Sequence, residues 1–336
     1  MFTPPARAER IRAVGPVAGL PPALQHALDE QGFDPIPRPG PHDWLASHPE
    51  PGQTFAAFLA RRPPSPDPAR RVLYLQPFGP FDTGQEPPVD LLSRFAAAFF
   101  ALEAVVLPTA PVTGVTIRIN SQTGQPQLLT RDLLALLADQ RPAGACCIVG
   151  ITMDDLYPDP AWNFVFGEAS PRDRAGVYSF ARYLPGEAGP AAASLLLRRA
   201  CKVLAHETAH LLGIAHCVFY SCLMNGSNHL AESDARPLHL CPVDLRKLEH
   251  SIGFDVAARY RRLLRSPATP ASPMRPGGSP RNCCTSGGTR PAPERQHVHQ
   301  AERVPCLHRS RDRRPRPDSG DLSPRAVPRR RRADPA

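Results

Sequence analysis

One eleven-residue stretch, HETAHLLGIAH, constrains the fold of this chain more than any other. His206 and His210 are four residues apart, and side chains at that spacing share one face of a helix. Gly213 favours a helix end, because glycine readily adopts the left-handed conformation found there. A turn at this place can bring His216 back toward the helix. The stretch therefore predicts a helix from about residue 190 to 212, with three imidazoles gathered beside its end.

Three converging imidazoles are typical of a zinc site, and three neutral protein ligands leave a fourth coordination position open for water. Glu207 is offset from His206 by one residue, so we expect its carboxylate beside the metal, where it can take a proton from a bound water. His-Glu-x-x-His alone is a weak signal, but the glycine and the third histidine at fixed spacing make the pattern specific. The sequence predicts a catalytic zinc bound by His206, His210 and His216, with Glu207 as the base.

Hydrophobic periodicity predicts a mixed α+β fold around this helix. Strands are predicted at 71–79, 104–108, 115–120, 145–152, 163–167 and 176–183. Helices are predicted at 22–33, 54–62, 89–104, 129–140, 190–212 and 243–264. Thr130 is the predicted N-cap of the helix that starts near residue 129.

Proline content and charge divide the chain into three parts. We predict a proline-rich N-terminal extension with short helices over 1–66, a main domain over 67–265 and a disordered Pro/Arg-rich tail over 266–336. The tail contains 15 Arg, no Lys and six acidic residues, which accounts for the whole net charge of +9. The high basicity therefore says nothing about the main domain. The arginines at 329–332 could bind nucleic acid or direct nuclear import, but we expect a solvated tail without a nucleic-acid partner.

The sequence shows no sign of membrane insertion or export. No apolar run approaches the ~20 residues that a spanning helix needs. The first fifteen residues lack the apolar core of a signal peptide. We therefore predict an intracellular, cytoplasmic protein with no membrane partner, and a nuclear location stays open. Nine cysteines, an odd number, then argue for thiols or metal ligands rather than a disulfide framework.

The histidine pattern together with Met224 resembles the metzincin zinc proteases. More narrowly, HCVFYSCLM and LCPVDLRKL make the chain similar to the archaemetzincins, and LYLQPFG and SFARYLP match as well. The likeness extends from about residue 20 to 262. It implies a metzincin-like zincin fold, in which a mixed twisted sheet and packing helices carry a zinc-binding active-site helix. It also implies that Met224 forms a hydrophobic turn under the catalytic zinc.

The resemblance further implies a second, structural zinc, which four cysteines bind in that family. This chain supplies Cys217, Cys222 and Cys241, but Asp244 stands at the position of the fourth cysteine. A carboxylate oxygen can bind zinc, so a site with three cysteines and one aspartate is one interpretation. It would be a harder and weaker site than one with four thiolates.

Some alternatives stay open. His239 or His250 could be the fourth ligand of the second site, or that site could be empty. Tyr220 could stabilise an oxyanion during hydrolysis, or it could simply be packed in the core.

The expected activity is zinc-dependent hydrolysis of peptide bonds in peptides or proteins, with an aminopeptidase as one form of it. In metzincins the substrate pairs with an edge strand, and the segment 162–183 is the candidate edge here. The alternative is a zinc-stabilised binding protein with little or no peptidase activity. The incomplete set of four cysteines and the basic tail favour that alternative.

Overall fold

Two mixed β-sheets form the frame of the protein, for which the computed structural model describes residues 2–81, 86–183 and 189–266. The strands are β1 (Val72–Phe78), β2 (Glu103–Val106), β3 (Ile117–Ile119), β4 (Pro126–Leu129), β5 (Ala145–Thr152), β6 (Asp155–Tyr157), β7 (Gly167–Ser170) and β8 (Ala175–Ser179). The larger sheet has the order β2-β1-β5-β8-β7, and β7 runs antiparallel to β8 at its edge. The smaller sheet has the order β3-β4-β6.

Ten α-helices lie before, between and after the strands in the described part of the chain. They are α1 (Arg7–Val14), α2 (Pro22–Ala27), α3 (Trp44–Ser47), α4 (Phe55–Ala60), α5 (Val89–Phe100), α6 (Thr130–Asp139), α7 (Pro190–Leu211), α8 (Leu230–Ala235), α9 (Pro242–Ile252) and α10 (Val256–Leu264). Among the described residues, none of the helices combines the length and the apolar character needed to cross a membrane.

Strand β5 is the centre of the larger sheet, and all eight of its residues are buried. It pairs in parallel with β1 and β8, and a strand covered on both faces needs a continuous apolar run such as ACCIVGIT. Val149 and Ile151 belong to the core cluster that also contains the buried side chains of α5 and α7. Ile148 faces the other way, into a second cluster with Leu133 and Leu137 of α6. The predicted α+β class is confirmed.

The structure corrects three local predictions. The helix near residue 129 begins at Thr130 itself, whose hydroxyl bonds to the Tyr157 carbonyl and to Glu168 instead of capping the helix. The predicted strand at 163–167 is wrong, because Val165 makes only an isolated bridge and β7 begins at Gly167.

The helix predicted at 243–264 is two helices, α9 and α10. Gly253 separates them and has a φ of +72°, a left-handed conformation that ends an α-helix. The predicted tail from residue 267 onward lies outside the described residues.

The N-terminal part of the chain belongs to the main core. Buried residues from α1 to α4, such as Val14, Trp44 and Phe58, lie in the same hydrophobic cluster as α5 and α7. Trp44 packs so closely on Gly226 that a Cβ added there would lie 2.5 Å from Trp44 Cδ1. This contact joins the N-terminal part to the loop that follows α7. The domain boundaries at residues 66 and 265 stay predictions.

Because there is no room for a methyl group at this contact, we expect Gly226→Ala to lower the free energy of unfolding by about 1–3 kcal/mol, the usual cost of overpacking. Urea denaturation measures the change. Gly144→Ala is the matched control, since a Cβ there has the Ala69 carbonyl oxygen as its nearest neighbour, at 3.9 Å. Equal stability of the two variants would contradict a tight Trp44–Gly226 contact.

Candidate metal centre

Helix α7 carries the first two histidines of the pattern. Pro190 begins the helix, as its fixed φ favours, and the helix continues for 22 residues to Leu211. His206 and His210 project from one face, with ring centroids 4.5 Å apart and Nε2 atoms 2.9 Å apart. The four-residue spacing on a helix accounts for this approach.

The chain reverses directly after α7 and returns the third histidine to the first two. Gly213 has a φ of +81°, and its N–H donates to the His210 carbonyl at 2.9 Å. The His216 ring centroid then lies 5.3 Å from that of His206 and 5.1 Å from that of His210. The structure therefore brings together the three histidines that the sequence singled out.

Backbone carbonyls orient the two helical imidazoles. His206 Nδ1 lies 3.0 Å from the Leu223 carbonyl oxygen, and His210 Nδ1 lies 2.6 Å from that of Ile214. A carbonyl only accepts, so each Nδ1 carries the proton and each Nε2 presents a lone pair. Two lone pairs 2.9 Å apart repel each other unless a cation or proton lies between them. This donor set fits a metal ion such as zinc.

A carboxylate orients the third imidazole. Glu50 Oε1 accepts a hydrogen bond from His216 Nδ1 at 2.8 Å and another from Trp44 Nε1 at 2.9 Å. The Trp44 ring also contacts the His216 ring edge-on, with centroids 5.2 Å apart. A carboxylate hydrogen-bonded to a metal-binding histidine fixes its orientation and raises its basicity. His216 is thus also held with Nε2 directed at the other two rings.

The same N-terminal segment holds the bend itself. We call residues 44–53 the clamp segment. Its Gln53 side chain donates to the Gly213 carbonyl at 3.1 Å and accepts from the Ala215 N–H at 3.1 Å. Both hydrogen-bonding groups of this amide therefore brace the turn between α7 and His216. The clamp segment defines the position of the third histidine.

Glu207 lies beside the histidines, next to the sheet edge. Its side chain is 3% exposed. A Cβ added at Gly167, the first residue of β7, would lie 3.3 Å from Glu207 Cδ. The glutamate therefore lies where the edge strand begins, and β7 and β8 both fall inside the predicted segment 162–183.

A second group of candidate metal ligands follows directly in sequence. Cys217 Sγ lies 3.5 Å from Cys241 Sγ, and Asp244 Oδ2 lies 3.3 Å from Cys222 Sγ and 3.4 Å from Cys241 Sγ. All four residues are buried. Asp244 Oδ1 accepts from Lys247 Nζ at 2.8 Å, in an ion pair with no solvent exposure. Three sulfurs and one oxygen can therefore bind a single ion, and the lysine offsets part of their negative charge.

The electrostatics of this group oppose ionisation of most of its members: burial, followed by the hydrogen bond with Cys217, raises the pKa of Cys222 and of Cys241 well above the ordinary value. Burial opposes ionisation of Cys217, yet hydrogen bonds from Cys222 and Cys241 hold the pKa of its thiol well below the ordinary value. Burial, followed by the charge of Cys217, raises the pKa of Asp244 to about 6 although Lys247 acts in the other direction. Negative charges crowded into one buried space are the environment that a divalent cation stabilises.

The other candidate site residues, His239, His250 and Tyr220, pack against residues outside the two metal-ligand groups. His239 bonds to the Leu240 carbonyl at 3.4 Å, and the His250 ring contacts that of Phe55. Neither histidine belongs to the group of cysteines and Asp244. Tyr220 is buried, with its ring beneath the Arg10 guanidinium, as in the simple packing alternative.

Met224 is fully buried, and its carbonyl accepts from the Cys217 N–H at 2.8 Å. This hydrogen bond ties the predicted Met-turn to the start of the second group.

A third group, Asp43, His229 and Glu232, is a hydrogen-bonded brace. The Glu232 carboxylate accepts from the N–H groups of Trp44 and Asn228. His229 Nδ1 accepts the Glu232 N–H at 3.1 Å, and its Nε2 lies 3.2 Å from Asp43. These contacts hold the start of α3, and hence Trp44, against α8.

Comparisons with known proteins identify the family of the chain. A sequence profile described as Peptidase family M54 matches residues 141–250. Archaemetzincin-2 of Macaca fascicularis is 39% identical over 306 residues, which cover 81% of this chain and 84% of that protein. The chain belongs to the archaemetzincin family.

The chain is also similar to other archaemetzincins. Human archaemetzincin-1 is 38% identical over 262 residues, covering 66% of this chain and 51% of that protein. The crystal structure of an archaemetzincin from Archaeoglobus fulgidus is 26% identical, covers 52% of this chain and 99% of its own, and has a TM-score of 0.42. That from Methanopyrus kandleri is 27% identical, covers 60% and 99%, and also has a TM-score of 0.42.

Membership confirms the resemblance inferred from the sequence. The protein is a zinc metallopeptidase, and its substrates are peptides or proteins.

Sequence reasoning missed Glu50 and Gln53, which contact the bend of this archaemetzincin. They lie in a proline-rich stretch, HPEPGQTF, that has neither periodicity nor a ligand-like spacing. The only local hint was a glutamate followed by a proline and a glycine, which is a turn signal. Their role follows from contacts across 160 and 166 residues of chain.

Because Glu50 orients His216, we expect Glu50→Gln to weaken zinc binding roughly 10- to 100-fold, the usual effect of losing such an outer carboxylate. Competition with a chromophoric zinc chelator measures this. Glu103→Gln, at an exposed position on β2, is the control and should bind zinc like the wild type. Unchanged affinity in Glu50→Gln would show that His216 needs no carboxylate.

Proposed function

We propose that His206, His210 and His216 hold the catalytic zinc of this peptidase and that Glu207 is its general base. The observation that carries the proposal is the convergence of three oriented imidazoles beside a buried glutamate. Each Nδ1 is engaged by a hydrogen-bond acceptor, and the three rings offer ligand atoms that all lie within 4.8 Å of one another. Three ligands leave one position for water or substrate, as a catalytic rather than a structural zinc requires.

When bound, zinc would supply Lewis acidity, lowering the pKa of a water molecule and polarising the scissile carbonyl. Glu207 takes the proton from the attacking water and later returns it to the leaving amine. Burial keeps its carboxylate away from bulk water. Its place beside Gly167 also puts it next to the edge of the sheet.

Strand β7 is the edge with which a peptide could pair. It is the last strand of the larger sheet, and Gly167 at its start adjoins Glu207. An extended peptide added to such an edge gains main-chain hydrogen bonds, which fix the scissile bond without reading side chains. The same geometry accepts the end of a chain or its interior, so an aminopeptidase is one form of the proposed activity.

We also propose a second zinc, held by Cys217, Cys222, Cys241 and Asp244. Support comes from four buried ligand atoms that all lie within 4.8 Å of one another. Four protein ligands close the coordination shell, as in structural zinc sites. A harder oxygen ligand at Asp244 should hold zinc less firmly than a fourth thiolate.

The base can be tested directly. We expect Glu207→Gln to lower kcat by at least about 10²- to 10⁴-fold, the contribution of a positioned general base, while it retains zinc. The substrate is a diverse peptide library with mass-spectrometric detection, whose products also distinguish removal of N-terminal residues from internal cleavage. His216→Ala should lose both zinc and activity. Equal cleavage by wild type and Glu207→Gln would identify the activity as a contaminant.

The second zinc predicts two metal ions per chain. We expect elemental analysis of the purified protein to find about two zinc ions and Cys241→Ser to retain about one, because the histidine site is separate. Asp244→Cys should slow zinc loss to a chelator, since thiolates bind zinc more tightly than a carboxylate does here. A wild-type content of one zinc that is unchanged in Cys241→Ser would rule out the second site.

A further inference from the structure

A cavity beside the metal centre contains charged groups that catalysis does not use. His206 and Glu207 line one side of it. Apolar side chains, including Phe166, Val203 and Leu223, form much of its wall. Lys202 and Arg236 lie among its polar lining. We call this space the cationic cavity. An apolar wall with charged groups beside it fits a ligand that has an apolar stem and an anionic end.

Lys202 is buried one turn before His206 on α7, with 5% of its surface exposed. Its ammonium group donates to the carbonyls of Ser233 at 2.6 Å and Arg236 at 2.8 Å. Both acceptors are neutral, and an ammonium group has three N–H donors. Burial lowers the pKa of Lys202 to about 8, with the nearby Arg198 acting in the same direction, so the group is still largely protonated at neutral pH.

Arg236 adds a second cation with an unmatched donor. Its side chain is 8% exposed, and one terminal nitrogen pairs with Glu232 at 3.0 Å. Its Nε is buried and has no hydrogen-bond partner among the residues that the structure describes. Buried donors without acceptors are costly and rare in native proteins, so this one calls for an acceptor.

Neighbouring Arg199 is a cation whose hydrogen bonds have only a structural role, and it serves as a comparison for Lys202 and Arg236. It donates to both carboxylate oxygens of Asp234 and to the Tyr183 carbonyl. It therefore joins α7 to the end of α8 with its charge matched, and it is not part of the cavity lining. Lys202 and Arg236 differ from it, because the ammonium group donates to two neutral carbonyls and the Arg236 Nε has no hydrogen-bond partner among the described residues.

We propose that the cationic cavity is a subsite for an acidic side chain of the substrate, next to the scissile bond, with Lys202 and Arg236 as partners of its carboxylate. The inference rests on the proposed peptidase function, since His206 and Glu207 line the same space. The apolar wall suits the methylene groups of glutamate. Glutamine has the same shape but no charge, so the subsite discriminates between the two through charge-assisted hydrogen bonds.

The first measurement is the cleavage preference of the zinc-loaded full chain. In a peptide library we expect glutamate or aspartate to be enriched at one position adjoining the cleaved bond. Two synthetic peptides that differ only by glutamate or glutamine at that position should then differ roughly 10- to 100-fold in kcat/KM, the effect of one hydrogen bond to a charged group.

Variants connect that preference to the cavity. Lys202→Met should bring the glutamate-to-glutamine ratio close to one, while Lys202→Arg keeps a preference for glutamate. If Lys202→Met does not fold, Arg236→Met tests the second proposed partner of the carboxylate and should also reduce the ratio. Arg199→Met is the matched control, because it loosens the same contact between helices without changing the cavity lining. A ratio that falls as far in Arg199→Met as in Lys202→Met would overturn the proposal.

A binding measurement separates the subsite from turnover. Zinc-loaded Glu207→Gln is titrated into fluorescently labelled peptide pairs, each pair differing only by glutamate or glutamine at one position, and anisotropy is recorded. Tighter binding of the glutamate peptide that is lost in the Glu207→Gln/Lys202→Met double variant supports the subsite. It does so even if the wild type cleaves nothing. Absence of cleavage contradicts only the peptidase function. Cleavage with equal rates and equal binding for both peptides overturns the subsite and leaves the peptidase function intact.

Discussion

The hydrogen bond between His216 and Glu50 is the contact on which the metal centre depends most. A helix fixes His206 and His210 relative to each other, because their spacing is built into its geometry. His216 lies beyond the helix, in irregular chain, where no such repeat determines its position. Glu50 fixes the ring, and Gln53 fixes the turn that leads to it. The clamp segment therefore provides the contacts that fix His216, which the local sequence around this histidine does not provide.

The two candidate zinc sites share one piece of backbone, since His216 and Cys217 are consecutive. The Cys217 N–H donates to the Met224 carbonyl, and the neighbouring Leu223 carbonyl orients His206. The loop from 213 to 225 therefore touches both groups of ligands within one set of hydrogen bonds. Asp244 approaches the same loop from α9, and its pairing with Lys247 keeps an aspartate tolerable in a fully buried place.

Local patterns predicted the parts of the fold that local rules govern. Strand β5 and helix α7 follow from a continuous apolar run and from a 22-residue helical segment that ends two residues before Gly213. The approach of the three histidines followed from spacing, and the group around Asp244 followed from a family pattern with one substitution. Prediction failed where a side chain made a tertiary contact instead of the local one expected from the sequence. The Thr130 hydroxyl found Tyr157 and Glu168 across the fold instead of its own helix.

Other parts could not be predicted, because they depend on tertiary contacts. Nothing in HPEPGQTF indicates that Glu50 meets His216, since a proline-rich stretch has no period that assigns its side chains to a face. The hydrogen-bond partners of Lys202 and Arg236 are equally invisible in sequence, where nothing sets these two cations apart from Arg199. Only the acceptors differ, since Arg199 donates to the Asp234 carboxylate and Lys202 donates to two backbone carbonyls.

The distance along the chain between Glu50 and His216, 166 residues, bears on the order of folding. Closing so long a loop is slow compared with forming a helix, and non-local contacts set the pace of folding in proteins of mixed topology. His206 and His210 can come together as soon as their own helix forms. The third imidazole gains its final orientation only once the beginning and the end of the described chain have met, so we expect His216 to reach its final orientation later than His206 and His210.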